Sequence, residues 1–88
     1  MAQEMPIREL IETIAPGEPH GWGVEILDLL ARDRRRTRAL AASITAHGVR
    51  TPVLIGDDGR LWDGHHRVVA SIYLGRETIP AEYAGGDR

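Results

Sequence analysis

The sequence predicts a compact single-domain α+β fold with a small mixed sheet and about three helices. Three observations lead there. Helical apolar spacing runs through the middle of the chain and returns after residue 65. Short apolar segments lie between glycine and Asp-Gly turn signals. Helices and strands mix without the strict βαβ order of a doubly wound sheet. A chain of 88 residues buries only about 60% of the surface its unfolded form exposes, so it supports one thin core.

Taken in order, residues 1–4 and 84–88 read as flexible ends around a domain spanning 5–83. Met5–Ile11 fits a short strand or the start of a helix, and Pro6 favours an edge or a first turn. Residues 15–23 hold two prolines and three glycines, which marks a loop. Between Val24 and Arg32, Ile26, Leu27, Leu29, Leu30 and Ala31 give a broad apolar helical face. Asp33 interrupts that stripe and is expected to cap a second helix. That helix runs to His47, buries Thr37, Leu40, Ala41 and Ile44, and stops at Gly48.

Thr51–Ile55 reads as a strand, Asp58-Gly59 as a hairpin turn, and Arg60–Trp62 as the returning strand. A third helix follows from His65 to Leu74, with Val68, Val69, Ile72 and Tyr73 inward and Gly75 at its end. Thr78–Tyr83 is the last strand, with Pro80 near its edge. Trp62 is read as core packing. Trp22, in the glycine-rich loop, fits either packing or stacking on a base.

Composition narrows the function classes. The chain has no cysteine, which excludes disulfides and thiol catalysis. No apolar run exceeds four residues, far short of the ~20 that a membrane helix needs. The N-terminus lacks the basic and apolar regions of a signal peptide, so a cytoplasmic location is expected. Net charge is −2, yet all 11 basic residues are arginine. Five of these, Arg32, Arg34, Arg35, Arg36 and Arg38, fall within seven positions. Arginine presents a planar fork of donors that suits phosphate. The cluster reads as a solvated face, or as a patch for nucleic acid or an acidic protein surface.

The stretch from Leu61 to Ala70 carries the most chemistry. A strand ends, Gly64 permits a tight turn, and a helix begins at once. Free N–H groups and the helix dipole make such a turn an anion site. Gly64 would let a phosphate approach the backbone, and His65, His66 and Arg67 lie beside it. Asp63 would hold a metal bound to that phosphate, or cap the helix. His65 and His66 diverge by ~100° on a helix and so do not share one metal readily. No Walker-type loop is present.

The order helix–Gly48-Val49–strand–Asp58-Gly59–strand–Asp63-Gly64-His65-His66-Arg67–helix–Gly75–Ile79-Pro80 resembles the ParB/sulfiredoxin-like fold family, over nearly the whole chain. In the partition proteins the motif is G-E-R-R, and in sulfiredoxins G-C-H-R with a catalytic cysteine. Asp63–Arg67 is most similar to the D-G-H-x-R of the branch that includes free serine kinases. The resemblance implies nucleotide phosphates at Gly64, His65, His66 and Arg67, with Asp63 beside them. Because Gly64 opens a helix N-terminus flanked by Asp63 and Arg67, ATP or CTP with magnesium is the expected ligand. His65 stands where sulfiredoxins have their cysteine, so sulfinic reduction is ruled out. It also replaces the glutamate that helps hold metal in the partition proteins. Glu18, in the loop this fold brings towards the motif, would be the base of a kinase reaction.

The expectation is therefore a ParB-like domain protein that binds a nucleoside phosphate, with an accessory or regulatory role and a phage or mobile-element origin. Two alternatives stay open. One is a nucleic-acid-binding or ParB-like nuclease protein using the Arg32–Arg38 cluster. The other is a small-molecule kinase or nucleotide hydrolase.

Overall fold

The computed structural model describes residues 2–17 and 20–85. Its elements are β1 (Gln3–Pro6), α1 (Ile7–Thr13), α2 (Trp22–Arg32), α3 (Arg34–His47), β2 (Val53–Ile55), β3 (Leu61–Asp63), α4 (His65–Tyr73) and β4 (Thr78–Tyr83). The strand order is β1-β4-β2-β3, with β4 antiparallel to β1, parallel to β2, and β2 antiparallel to β3. The α+β class and the mixed sheet are as expected. Helices number four among the described residues, rather than about three.

The additional helix comes from a segment that is strand and helix in succession. Pro6 ends β1 with φ −59° and ψ 131° and is the N-cap of α1. A fixed proline φ suits both roles. Ile7, Leu10 and Ile14 then recur at helical spacing and are buried. Gln3 and Glu4, expected in a flexible end, instead pair with Ala81 and Pro80 of β4. Thr78 Oγ1 also donates to Glu4 Oε1 at 2.9 Å. The partner lies 74 residues away, beyond the reach of any local pattern. Pro80 thus sits in an interior strand. The parallel ladder to β2 begins only at Ala81, one residue later.

The main core is the sheet's inner face, where Met5, Val53, Ile55, Leu61, Ile79 and Ala81 meet Leu10 of α1 and Val68 of α4. A smaller cluster of Ala41, Ile44 and Ala70, flanked by Leu40, Val49 and Leu74, seats α3 on α4. Small side chains on both helices let them approach closely, so Ala70 and Ser71 point inward and Tyr73 does not. Tyr73 is 62% exposed, contrary to expectation. Among the described residues, no helix is long and apolar enough to cross a membrane.

Of the two tryptophans, Trp22 takes the packing alternative and Trp62 does not pack in the core as expected. Trp22 opens α2 and is buried, with its Nε1 donating to the Ile14 carbonyl at 2.6 Å. Trp62 is 51% exposed and lies across Gly56, its Nε1 donating to Asp58 Oδ1. The cause is register. Leu54 pairs with Asp63 but Ile55 pairs with Leu61, so Trp62 is an extra residue without an opposite. A bulge of this kind re-aims the side chains around it. Strict alternation would put Asp63 inside with Leu61; the slip leaves both Trp62 and Asp63 outside.

One contact settles where α4 begins. Gly64 has φ 108°, and a Cβ there would lie 2.5 Å from Val53 Cγ1 and 3.2 Å from Val53 Cα. Both the backbone conformation and the space exclude a side chain. Gly64→Ala should therefore lower the unfolding free energy by about 2–5 kcal/mol, combining backbone strain with overpacking. Gly59, with φ 79° but open space around it, should cost only about 1–2 kcal/mol when changed to alanine. Urea titration of the two variants tests this; equal losses would mean that the approach to Val53 adds nothing.

Candidate functional site

The first intrahelical bond of α4 runs from the Val68 N–H to the Gly64 carbonyl at 2.9 Å. The N–H groups of His65, His66 and Arg67 thus precede the ladder and carry the positive end of the helix dipole. No side chain among the described residues caps them. Asp63 does not do so. Its Oδ2 accepts instead from Arg67 Nη2 at 3.2 Å.

The motif's three side chains are engaged with the protein itself. Arg67 Nη1 donates to the carbonyls of Thr51 (2.6 Å) and Pro52 (2.8 Å), so one guanidinium ties α4 to the entry of β2. His66 Nε2 donates to Asp33 Oδ2 at 2.9 Å. That bond joins α4 to the break between α2 and α3, where Asp33 has φ −116° and ψ 40°. The expected capping by the Asp33 carboxylate is absent, because the carboxylate is turned to His66. His65 Nε2 donates to the Pro16 carbonyl, and its ring lies 6.3 Å from that of Trp22. These side chains brace the turn and leave its main-chain donors open.

Those donors border a groove of about 610 Å³ between α3, the connection from Gly48 to Thr51, and the Asp63–Arg67 turn. Leu40, Ile44 and Val49 give it apolar wall, and Arg36, Arg50 and Asp63 give it charge. Arg36 and Arg50 have no ion pair among the described residues, whereas Arg67 is paired with Asp63. Arg50 was not singled out from sequence. Its signal was its place two residues beyond the helix-stopping Gly48, on the connection that leads into β2.

The arginine cluster, read from sequence as one patch, is dispersed. Arg32 belongs to α2 and pairs with Asp28 at 2.5 Å. That hydrogen bond holds the Asp28 carboxyl below its ordinary range and raises Arg32. Arg36 lines the groove beside the turn. Arg34 and Arg38 line a different groove, and Arg35 is exposed on α3. The break at Asp33 and the 100° step between helix residues separate what the chain lists in a row. At Gly64 the missing side chain makes room for Val53.

Glu18, the candidate base, lies outside the described residues. His20, in the same loop, donates to Glu25 Oε1 at 2.9 Å and so faces α2. Among the described residues, no three His, Asp or Glu side chains cluster as a metal site.

No protein-family model matches the sequence, and no curated protein does. Among solved structures, the fold is similar to that of a sulfiredoxin from Arabidopsis thaliana, with a TM-score of 0.68 and 25% identity. The likeness covers 98% of this chain and 86% of that one. The fold is thus sulfiredoxin-like, as the order of elements implied.

Arg67 acts here as a clamp. Its replacement by alanine should lower the unfolding free energy by about 1.5–3 kcal/mol, the value of hydrogen bonds from a charged donor. An unchanged urea midpoint for Arg67→Ala would show that the two carbonyls gain nothing from the guanidinium.

Proposed function

We propose that this protein binds a nucleoside phosphate, ATP or CTP with magnesium, in the groove between α3 and the start of α4. One observation carries the reading. Two guanidiniums without an ion pair among the described residues, Arg36 and Arg50, share a single groove with the N-terminus of α4. A volume near 610 Å³ lies within the usual range for small-ligand sites. The resemblance of Asp63–Arg67 to the D-G-H-x-R motif supports the same reading.

The phosphates would meet the N–H groups of His65, His66 and Arg67, where charge and dipole agree. Arg36 and Arg50 would supply charged hydrogen bonds from the facing wall. Asp63 is the only carboxylate on the groove among the described residues, and it would touch a magnesium ion held mainly by the phosphates. Leu40, Ile44 and Val49 offer an apolar surface to the rest of the ligand. His65, His66 and Arg67 thus contribute through main chain, while their side chains keep the turn rigid. With no cysteine, thiol chemistry on this scaffold is excluded. The role is that of a binding module, accessory or regulatory.

Isothermal titration calorimetry with each ribonucleotide, with and without magnesium, is the direct test. Arg36→Gln and Arg50→Gln should each weaken binding by about 10- to 100-fold, as expected for one charged hydrogen bond. Arg35→Gln should leave affinity unchanged. Absence of heat with every ribonucleotide at millimolar concentration would remove the reading.

A further inference from the structure

A second face of the molecule has its own chemistry, independent of the nucleotide groove. Val24 is 55% exposed and Leu27 70%, three residues apart on one side of α2. Tyr73, 62% exposed at the end of α4, lines the same groove as Leu27. Leu27, Leu30, Ala31, Arg34, Arg38 and Tyr73 line a groove of about 430 Å³ where these helices meet the first half of α3. Arg34 and Arg38 lie one turn apart on its rim. Arg36 is about 200° around the helix from each, on the opposite face.

The charge on this rim is uncompensated. Asp28 is paired with Arg32 and Glu25 with His20, while Arg34 and Arg38 have no acidic partner among the described residues. Both lie in the N-terminal part of α3, whose first turn holds no acidic residue. There the helix dipole and their own mutual repulsion oppose them. Thr37, 1% exposed, lies in the wall between them, and its buried hydroxyl has no hydrogen-bond partner among the described residues.

We propose that this groove docks an amphipathic helix of a partner protein, its apolar stripe against Leu27, Leu30 and Tyr73 and its acidic residues against Arg34 and Arg38. Helices commonly bind this way, through apolar anchors at i, i+3/i+4 and i+7. A second copy of the chain is disfavoured, because a two-fold pairing would set Arg34 and Arg38 against their own counterparts. A nucleic acid would satisfy the arginines but would leave Val24, Leu27 and Tyr73 without apolar contact.

The test is panning of a random 16-residue phage-displayed peptide library against the full chain, with counter-selection on Leu27→Asp. Enriched sequences should place large apolar residues at helical spacing with Asp or Glu between them. A synthetic peptide of the most enriched sequence, followed by fluorescence anisotropy, should bind at least 10-fold more weakly to Leu27→Asp and to the double variant R34E/R38E. Reversing the peptide's acidic residues to lysine should restore binding to R34E/R38E. Circular dichroism of both variants should match the unmodified chain, since Leu27, Arg34 and Arg38 are exposed. Failure to enrich beyond Leu27→Asp, or enrichment of basic sequences, would overturn the proposal. So would a sedimentation-detected dimer that Leu27→Asp abolishes, or duplex DNA binding that R34E/R38E abolishes and Leu27→Asp does not.

Discussion

The close approach of Gly64 to Val53 organises the site because two elements share it. Val53 is fully buried at the start of β2, and Gly64 is the residue before α4. With a left-handed backbone pressed onto that side chain, the chain can leave the sheet edge and turn at once into a helix. The direction of the first N–H groups follows from that turn. Arg67, one turn along, then holds the carbonyls of Thr51 and Pro52. Those carbonyls lie just before β2, where a strand ladder has not yet begun to satisfy them. Strand entry and helix entry are thereby fixed to one another from both sides.

That arrangement gives the motif's side chains a different task from its main chain. His65 reaches to Pro16, His66 to Asp33 and Arg67 to residues 51 and 52. Each bond ties the turn to a separate segment, so the amides are held in place without a side chain of the turn lying over them. Rigid donors lose little freedom when an anion arrives. His65 Nε2 is itself engaged with a main-chain carbonyl.

Local chemistry made much of this legible in the sequence. Thr78–Tyr83 is strand β4 with the limits read from its residues, and Gly48 stops α3 with φ 73°. Thr37, Ala41 and Ile44 face inward as their spacing required. The strand–turn–helix at Asp63–Arg67 is where the motif placed it. What escaped depends on contacts distant in sequence. The pairing of Gln3 and Glu4 with β4 has no local mark, because a four-residue edge strand gains its stability from its neighbour. The exposure of Trp62 turns on a one-residue register slip in β3, which composition cannot show. Arg50 joined the groove only once α3 was folded against α4.

The arginines of α3 show how one run of like charge can serve two surfaces. Arg34, Arg35 and Arg36 occupy the first turn of a helix whose dipole disfavours them, with no acidic residue there to offset it. A sequence optimised only for folding would place Asp or Glu in that turn. The unfavourable local choice is accepted along a helix that faces two grooves, and the 100° step directs Arg36 to one and Arg34 and Arg38 to the other. Departures from local consistency of this kind cluster where binding is required. The charge that weakens α3 in isolation is thus the same charge that the proposed nucleotide would meet on one face and the proposed partner helix on the other.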